Sequence, residues 1–216
     1  MVRDQLMARG LRDPQLLHAF GVVPRHLFVT GDGPFGDGPF GEGAYGDHAL
    51  PLGSGQTISQ PYVVAMMTHL ARPPAGWADA PVLEVGTGSG YQAAILAELG
   101  ARVTSIERYP ELAAEAELRL REAGYGDRVQ VLTGDGTRGW AAGAPYRSIL
   151  VTAAGPSVPD PLLEQLDPDG GRLVMPVGTR EHQMLTLVRR RNGEFDSRTF
   201  DPVVFVPLIG EHGFTG

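Results

Sequence analysis

Val82-Leu83-Glu84-Val85-Gly86-Thr87-Gly88-Ser89-Gly90-Tyr91-Gln92 is the stretch on whose reading the fold turns. The apolar, β-branched run PVLEV predicts a buried strand. Three glycines at alternate positions then force a sharp turn, and YQAAILAEL continues at helical spacing. Strand, glycine turn and helix together make a pocket for a nucleotide. Glycine lets a ligand approach the backbone closely, and the first N–H groups of the helix point into the same space. A dinucleotide fingerprint needs G-x-G-x-x-G. Counting from Gly86 and Gly88, its third glycine falls on Tyr91, so that match fails.

Downstream of this stretch strand and helix patterns alternate. RVTSIE (102–107) precedes a helix from Pro110 to about Ala123, and RVQVLTGD (128–135) follows. SILVTAA (148–154) leads to a helix from Pro159, and then come RLVMPVG (172–178), MLTLVRR (184–190) and VVFVPL (203–208). The alternation predicts an α/β fold with a doubly wound, mostly parallel sheet. Asn192-Gly193, between two strand-like runs, predicts a hairpin turn. Ligands of such sheets bind beyond the carboxyl ends of the strands. The acidic residues obey that rule: Glu107 ends the second strand, where it can accept from ribose hydroxyls, and Asp135-Gly136 follows the third. An acid at Glu107 suits dinucleotides and other nucleosides alike, and Asp-Gly is also an ordinary turn.

Upstream, residues 3–19 fit two short helices broken at Gly10 and Pro14, and Val22–Val29 reads as an extended apolar segment. The tandem duplication GDGPFGDGPFGEG (31–43) has no period that could bury a face. It reads as a mobile surface loop, or as a lid carrying Phe35 and Phe40. Ser59 as N-cap with Pro61 in the first turn predicts a helix carrying Val63, Val64, Met66, Met67 and Leu70. Residues 72–81 (RPPAGWADAP) form a linker. We therefore divide the chain into an N-terminal helical, substrate-facing extension (1–80) and a nucleotide-binding unit (81–216).

Composition narrows the chemistry. With 216 residues the chain suits one domain with a small extension. A net charge of −7 argues against nucleic acid as a partner. There is no cysteine and no lysine, so thiolate sites, Schiff bases and a phosphate-loop lysine are excluded. The six histidines are scattered without metal-ligand spacing, so no metal is expected. The N-terminus has no apolar signal core, and no apolar run reaches the roughly 18 residues of a membrane span. The expectation is a soluble, monomeric, cytoplasmic enzyme.

The E-x-G-x-G-x-G of Glu84–Gly90 resembles motif I of the S-adenosylmethionine-dependent methyltransferases. The likeness extends further. VPRHLFV (23–29), AYGDHALPLGSGQTISQPYVVAMM (44–67), VLEVGTGSGYQAAILA (82–97), VLTGDG (131–136), APYRSILVTAA (144–154), GGRLVMPVG (170–178) and FVPLIGEHGF (205–214) together resemble the protein-L-isoaspartate O-methyltransferases. GQTISQP is the most specific piece. The resemblance implies methyl transfer from S-adenosylmethionine to the free α-carboxylate of L-isoaspartyl residues in damaged proteins, followed by repair through a succinimide. It also implies a set of site residues. Glu84, Gly86, Thr87, Gly88 and Gly90 would hold the methionine end of the cofactor, Glu107 and Arg108 the ribose side, and Asp135 and Gly136 the adenine. Gln56, Thr57, Ile58 and Ser59 would lie between cofactor and substrate, with the Ser59 hydroxyl orienting the carboxylate. Val206, Pro207 and Leu208 would offer backbone groups to the peptide. A relative dedicated to one biosynthetic partner peptide is the alternative. The sequence departs from the family at the glycine duplication, at Ser148 in place of the usual aspartate, and slightly at Ala154-Gly155-Pro156.

Overall fold

The computed structural model describes residues 1–29, 42–53 and 55–215. The duplication's Phe35 and Phe40, and most of the loop they belong to, lie outside the described residues.

The N-terminal part opens with tight helical turns over Val2–Leu6 and Met7–Arg9, followed by α1 (Pro14–Val22). Asp13 caps α1, accepting from the Gln15 and Leu16 N–H groups, while Pro14 occupies the first turn. The stretch expected to be extended from Val22 instead coils into one 3-10 turn, Arg25–Phe28. Burial of Arg25 and Phe28 draws it inward. A hairpin of β1 (Leu50–Gly53) and β2 (Gln56–Ile58) follows. Next is α2 (Pro61–Ala71), whose N-cap is Gln60 and not Ser59. Neither side chain caps the helix. Asp47, distant in sequence, does so by accepting from the Tyr62 N–H at 3.1 Å, and Arg9 pairs with its other oxygen at 2.9 Å.

The main sheet contains β3 (Pro81–Val85), β4 (Arg102–Glu107), β5 (Val129–Thr133), β6 (Ser148–Val151), β7 (Asp169–Gly178), β8 (Gln183–Arg191) and β9 (Glu194–Val203). Their order is β5-β4-β3-β6-β7-β8-β9. The first five are mutually parallel, and the last two add an antiparallel hairpin. As expected, Asn192-Gly193 makes its turn, with φ of 51° and 82°. α3 (Tyr91–Glu98), α4 (Pro110–Glu122) and α5 (Asp160–Glu164) complete the fold. β9 ends at Val203, so the expected strand over 203–208 is a single bridge of Pro207 to Ala154.

One hydrophobic core runs from Leu6, Phe20 and Phe28 through α2 into Val82, Tyr91 and Ile95. Tyr91, the first residue of α3, joins the N-terminal segment to the sheet. Phe20 meets its ring edge-on at 6.1 Å and Phe28 lies at 5.8 Å, contacts worth about 0.5–1.5 kcal/mol each beyond the buried area. Ser148 is fully buried, and its hydroxyl donates to the Ala71 carbonyl at the end of α2. The departure there satisfies a core carbonyl. No helix among the described residues is long and apolar enough to cross a membrane.

Candidate functional site

β3 is the strand at which chain progression reverses, with β4 on one side and β6 on the other. A cleft opens at its carboxyl end, where such sheets bind ligands. Its floor is the glycine turn. Gly86, Gly88 and Gly90 all have positive φ. At Gly86 a side chain is excluded twice over, by a φ of +94° and by the Thr152 hydroxyl 2.4 Å from where a Cβ would stand. Thr152, directly after β6, donates to the Gly86 carbonyl at 2.6 Å and so fixes the turn. Gly136 lies against Val85, whose Cγ1 would be 2.4 Å from an added Cβ. The loop after β5 can therefore rest on the cleft floor only as glycine.

Two carboxyl groups face this floor in different surroundings. Glu107 accepts from the Gly88 N–H at 2.9 Å through one oxygen and from the Tyr109 N–H at 3.2 Å through the other. Those bonds hold it in place while leaving lone pairs for ligand hydroxyls. Glu84 is fully buried. Burial pushes its carboxyl up to about 8; the Ser105 hydroxyl pulls it back down and Glu107 adds to the rise. Ser105 donates to Glu84 Oε2 and in turn accepts from Thr87, while Oε1 is buried without a partner. An orphaned acceptor on a cleft-lining carboxyl fits a cationic or hydrogen-bond-donating ligand group.

Of the residues expected from sequence, Gln56, Thr57, Ile58, Ser59, Glu84, Gly86, Thr87, Gly88, Glu107, Arg108, Gly136, Val206, Pro207 and Leu208 all line this one cleft. Gly90 does not. It forms the N-cap of α3, and a Cβ added there would stand 3.2 Å from Leu120. Asp135 also stands outside the lining. Its Oδ1 accepts from the Thr137 N–H and hydroxyl, and its Oδ2 accepts from the Glu211 N–H at 2.9 Å. Burial raises the Asp135 carboxyl, but these bonds outweigh it and hold the group below its ordinary value. The carboxylate thus ties the C-terminal segment to the loop after β5. Val206 O and Leu208 N are paired with Ala154, at 2.8 and 2.7 Å, and Leu208 O accepts from Phe214.

Thr152, Tyr91, Tyr109, Val64 and Met67 line the cleft as well and carry no local signal that would single them out. Thr152 alone follows from a general rule, because it directly follows the strand beside the switch point.

The model of the family described as protein-L-isoaspartate(D-aspartate) O-methyltransferase matches residues 1–213. A protein-L-isoaspartate O-methyltransferase of Methanospirillum hungatei is 52% identical over 99% of this chain and 94% of its own length. One of Methanoculleus marisnigri is 48% identical over 100% and 93%. A solved protein-L-isoaspartate O-methyltransferase superposes with a TM-score of 0.83 at 25% identity, covering 99% of this chain and 67% of that one. A Plasmodium falciparum structure solved with S-adenosyl-L-homocysteine, at 20% identity and a TM-score of 0.79 over 96% of both chains, shares the fold.

Proposed function

This chain belongs to the protein-L-isoaspartate(D-aspartate) O-methyltransferase family, and from that premise we propose which of its residues carry each part of the reaction. The enzyme methylates the free α-carboxylate of L-isoaspartyl residues, using S-adenosylmethionine, and so starts repair of damaged proteins through a succinimide. The family match over nearly the whole chain favours this general activity over a relative devoted to one peptide. One observation carries the assignment of residues. The glycine turn with its two acids, the Ser59 segment and Val206–Leu208 are walls of the same cleft.

When bound, S-adenosylmethionine supplies an activated methyl group. The chain's share is binding, orientation and exclusion of water. Gly86, Thr87 and Gly88 give backbone to the methionine end, with Gly90 setting the helix that follows, and Glu84 offers its unpartnered Oε1 to the same end. Glu107 accepts from ribose hydroxyls beside Arg108, and Gly136 backs the adenine. Asp135 supports that loop from behind. On the opposite wall Gln56, Thr57 and Ile58 lead to Ser59, whose hydroxyl donates to one oxygen of the substrate carboxylate and aims the other. A carboxyl titrates near ~4, so the attacking oxygen is ionised at neutral pH and needs no general base. Val206 N–H and the Pro207 carbonyl, main-chain groups of the segment with no backbone partner among the described residues, meet the peptide.

This reading gives residues 1–80 the substrate side and 81–216 the cofactor, and takes the enzyme as a cytoplasmic monomer that does not bind nucleic acid. The excess of acidic residues, a net charge of −7, supports the last point. The decisive assay uses labelled S-adenosylmethionine with two peptides of one sequence, differing only in isoaspartyl or aspartyl linkage. Label enters the isoaspartyl peptide alone; equal labelling of both overturns the reading.

A further inference from the structure

Arg25 is fully buried, in a chain whose other arginines are at least partly exposed wherever they are described. Its Nε donates to the Ala44 carbonyl at 2.7 Å and its Nη2 to the Ser59 carbonyl at 2.8 Å. The guanidinium also lies over the Tyr91 ring, 4.7 Å from the centroid. Three segments therefore meet on one cation: the start of α3, the chain beyond the glycine duplication and the link at Ser59. That link is the telling one. Ser59 belongs to neither β2 nor α2, so no ladder or helical bond holds its carbonyl, and Arg25 does.

A buried charge is a costly way to fill a core, and a fully apolar side chain would do so without desolvating an ion. A guanidinium offers something else: a rigid planar fork that holds two carbonyls at a fixed separation, which a lysine ammonium cannot. The Ser59 bond and the ring contact both reach the wall of the cleft, since Ser59 and Tyr91 line it while Ala44 and Arg25 itself do not. We propose that Arg25 is a positioning residue for methyl transfer, fixing the backbone at Ser59 and through it the hydroxyl that orients the substrate carboxylate. The inference rests on the role given above to Ser59.

A double-mutant cycle tests it. R25K, S59A and the double variant are compared for turnover of an isoaspartyl peptide at saturating cofactor, with S-adenosylhomocysteine affinity and melting temperature measured for each. R25K lowers kcat by about 100-fold, the scale of a small misplacement in a reacting geometry, while S-adenosylhomocysteine affinity stays within about twofold. In the S59A background the same change costs less than about threefold, because the group it positions is gone. An equal cost in both backgrounds, or a loss of S-adenosylhomocysteine affinity matching the loss of kcat, overturns the proposal. S59A with normal kcat would remove the role of Ser59 itself, whereas an impaired S59A with additive R25K removes only that of Arg25. If R25K does not fold, R25Q, which buries no charge, goes through the same cycle.

Discussion

Replacing Glu84 with glutamine removes the pH dependence that this one carboxyl imposes on stability. The ordinary value of the group is 4.5, and in the folded chain it is pushed up to about 8, chiefly by burial. Below 4.5 both the folded and the unfolded chain hold the proton, and Glu84 costs nothing. Between 4.5 and about 8 the unfolded chain has released a proton that the folded chain keeps, so stability falls as pH rises. Above about 8 both are ionised and the full cost is in place. At about 1.4 kcal/mol per pH unit, the interval amounts to about 5 kcal/mol. E84Q carries no proton to lose. Urea denaturation without cofactor, followed by circular dichroism at pH 5, 6, 7 and 8.5, should show parent and variant within about 1 kcal/mol of each other at pH 5 and the variant several kcal/mol more stable at pH 8.5. A gap between the two that does not change with pH would mean that the Glu84 carboxyl does not titrate differently in the folded and unfolded chains. The same substitution weakens S-adenosylhomocysteine binding about 10- to 100-fold, the worth of a hydrogen bond to a charged group. The variant is then the sturdier protein at alkaline pH and the poorer enzyme.

Three further outcomes follow from geometry. S59A lowers kcat by about 100-fold, as for loss of one transition-state donor, and leaves S-adenosylhomocysteine affinity nearly unchanged; equal losses in both would contradict its assignment to the substrate. G86A pays about 1–2 kcal/mol for its positive φ and adds the collision with the Thr152 hydroxyl. A second change, T152A, should restore part of the melting temperature and not all of it; full restoration would mean the backbone is unstrained. D135N leaves one of the Thr137 and Glu211 N–H groups without an acceptor, so the KM for the isoaspartyl peptide should rise about fivefold, more than the S-adenosylhomocysteine dissociation constant. A larger effect on S-adenosylhomocysteine would put the Asp135 carboxylate on the adenine after all.

What could be read from the sequence was local. The β3–turn–α3 unit was legible because an apolar run and glycines at 86, 88 and 90 each constrain the backbone on their own. The alternation of strands and helices gave the parallel sheet, and Asn192-Gly193 gave its antiparallel end. What escaped depends on contacts distant in sequence. Val22–Val29 looks extended until Arg25 is seen to reach Ala44 and Ser59. Ser59 looks like a helix cap until Asp47 is found in that role. Val203–Leu208 has the composition of a strand, yet after Val203 its partner is Ala154, through one bridge, and it leaves the sheet to wall the cleft. Asp135 follows β5 where it was expected, but nothing nearby in the chain announces that its carboxylate also accepts from the Glu211 N–H.

The cleft has one lip from residues 56–59 and the other from 206–209, with the glycine floor encoded between them. On a ribosome the 56–59 lip and the glycine floor are therefore made well before the 206–209 lip. A copy cut short before residue 206 keeps the glycine turn, its two acids and the Ser59 lip, but lacks the wall that closes the cleft opposite them.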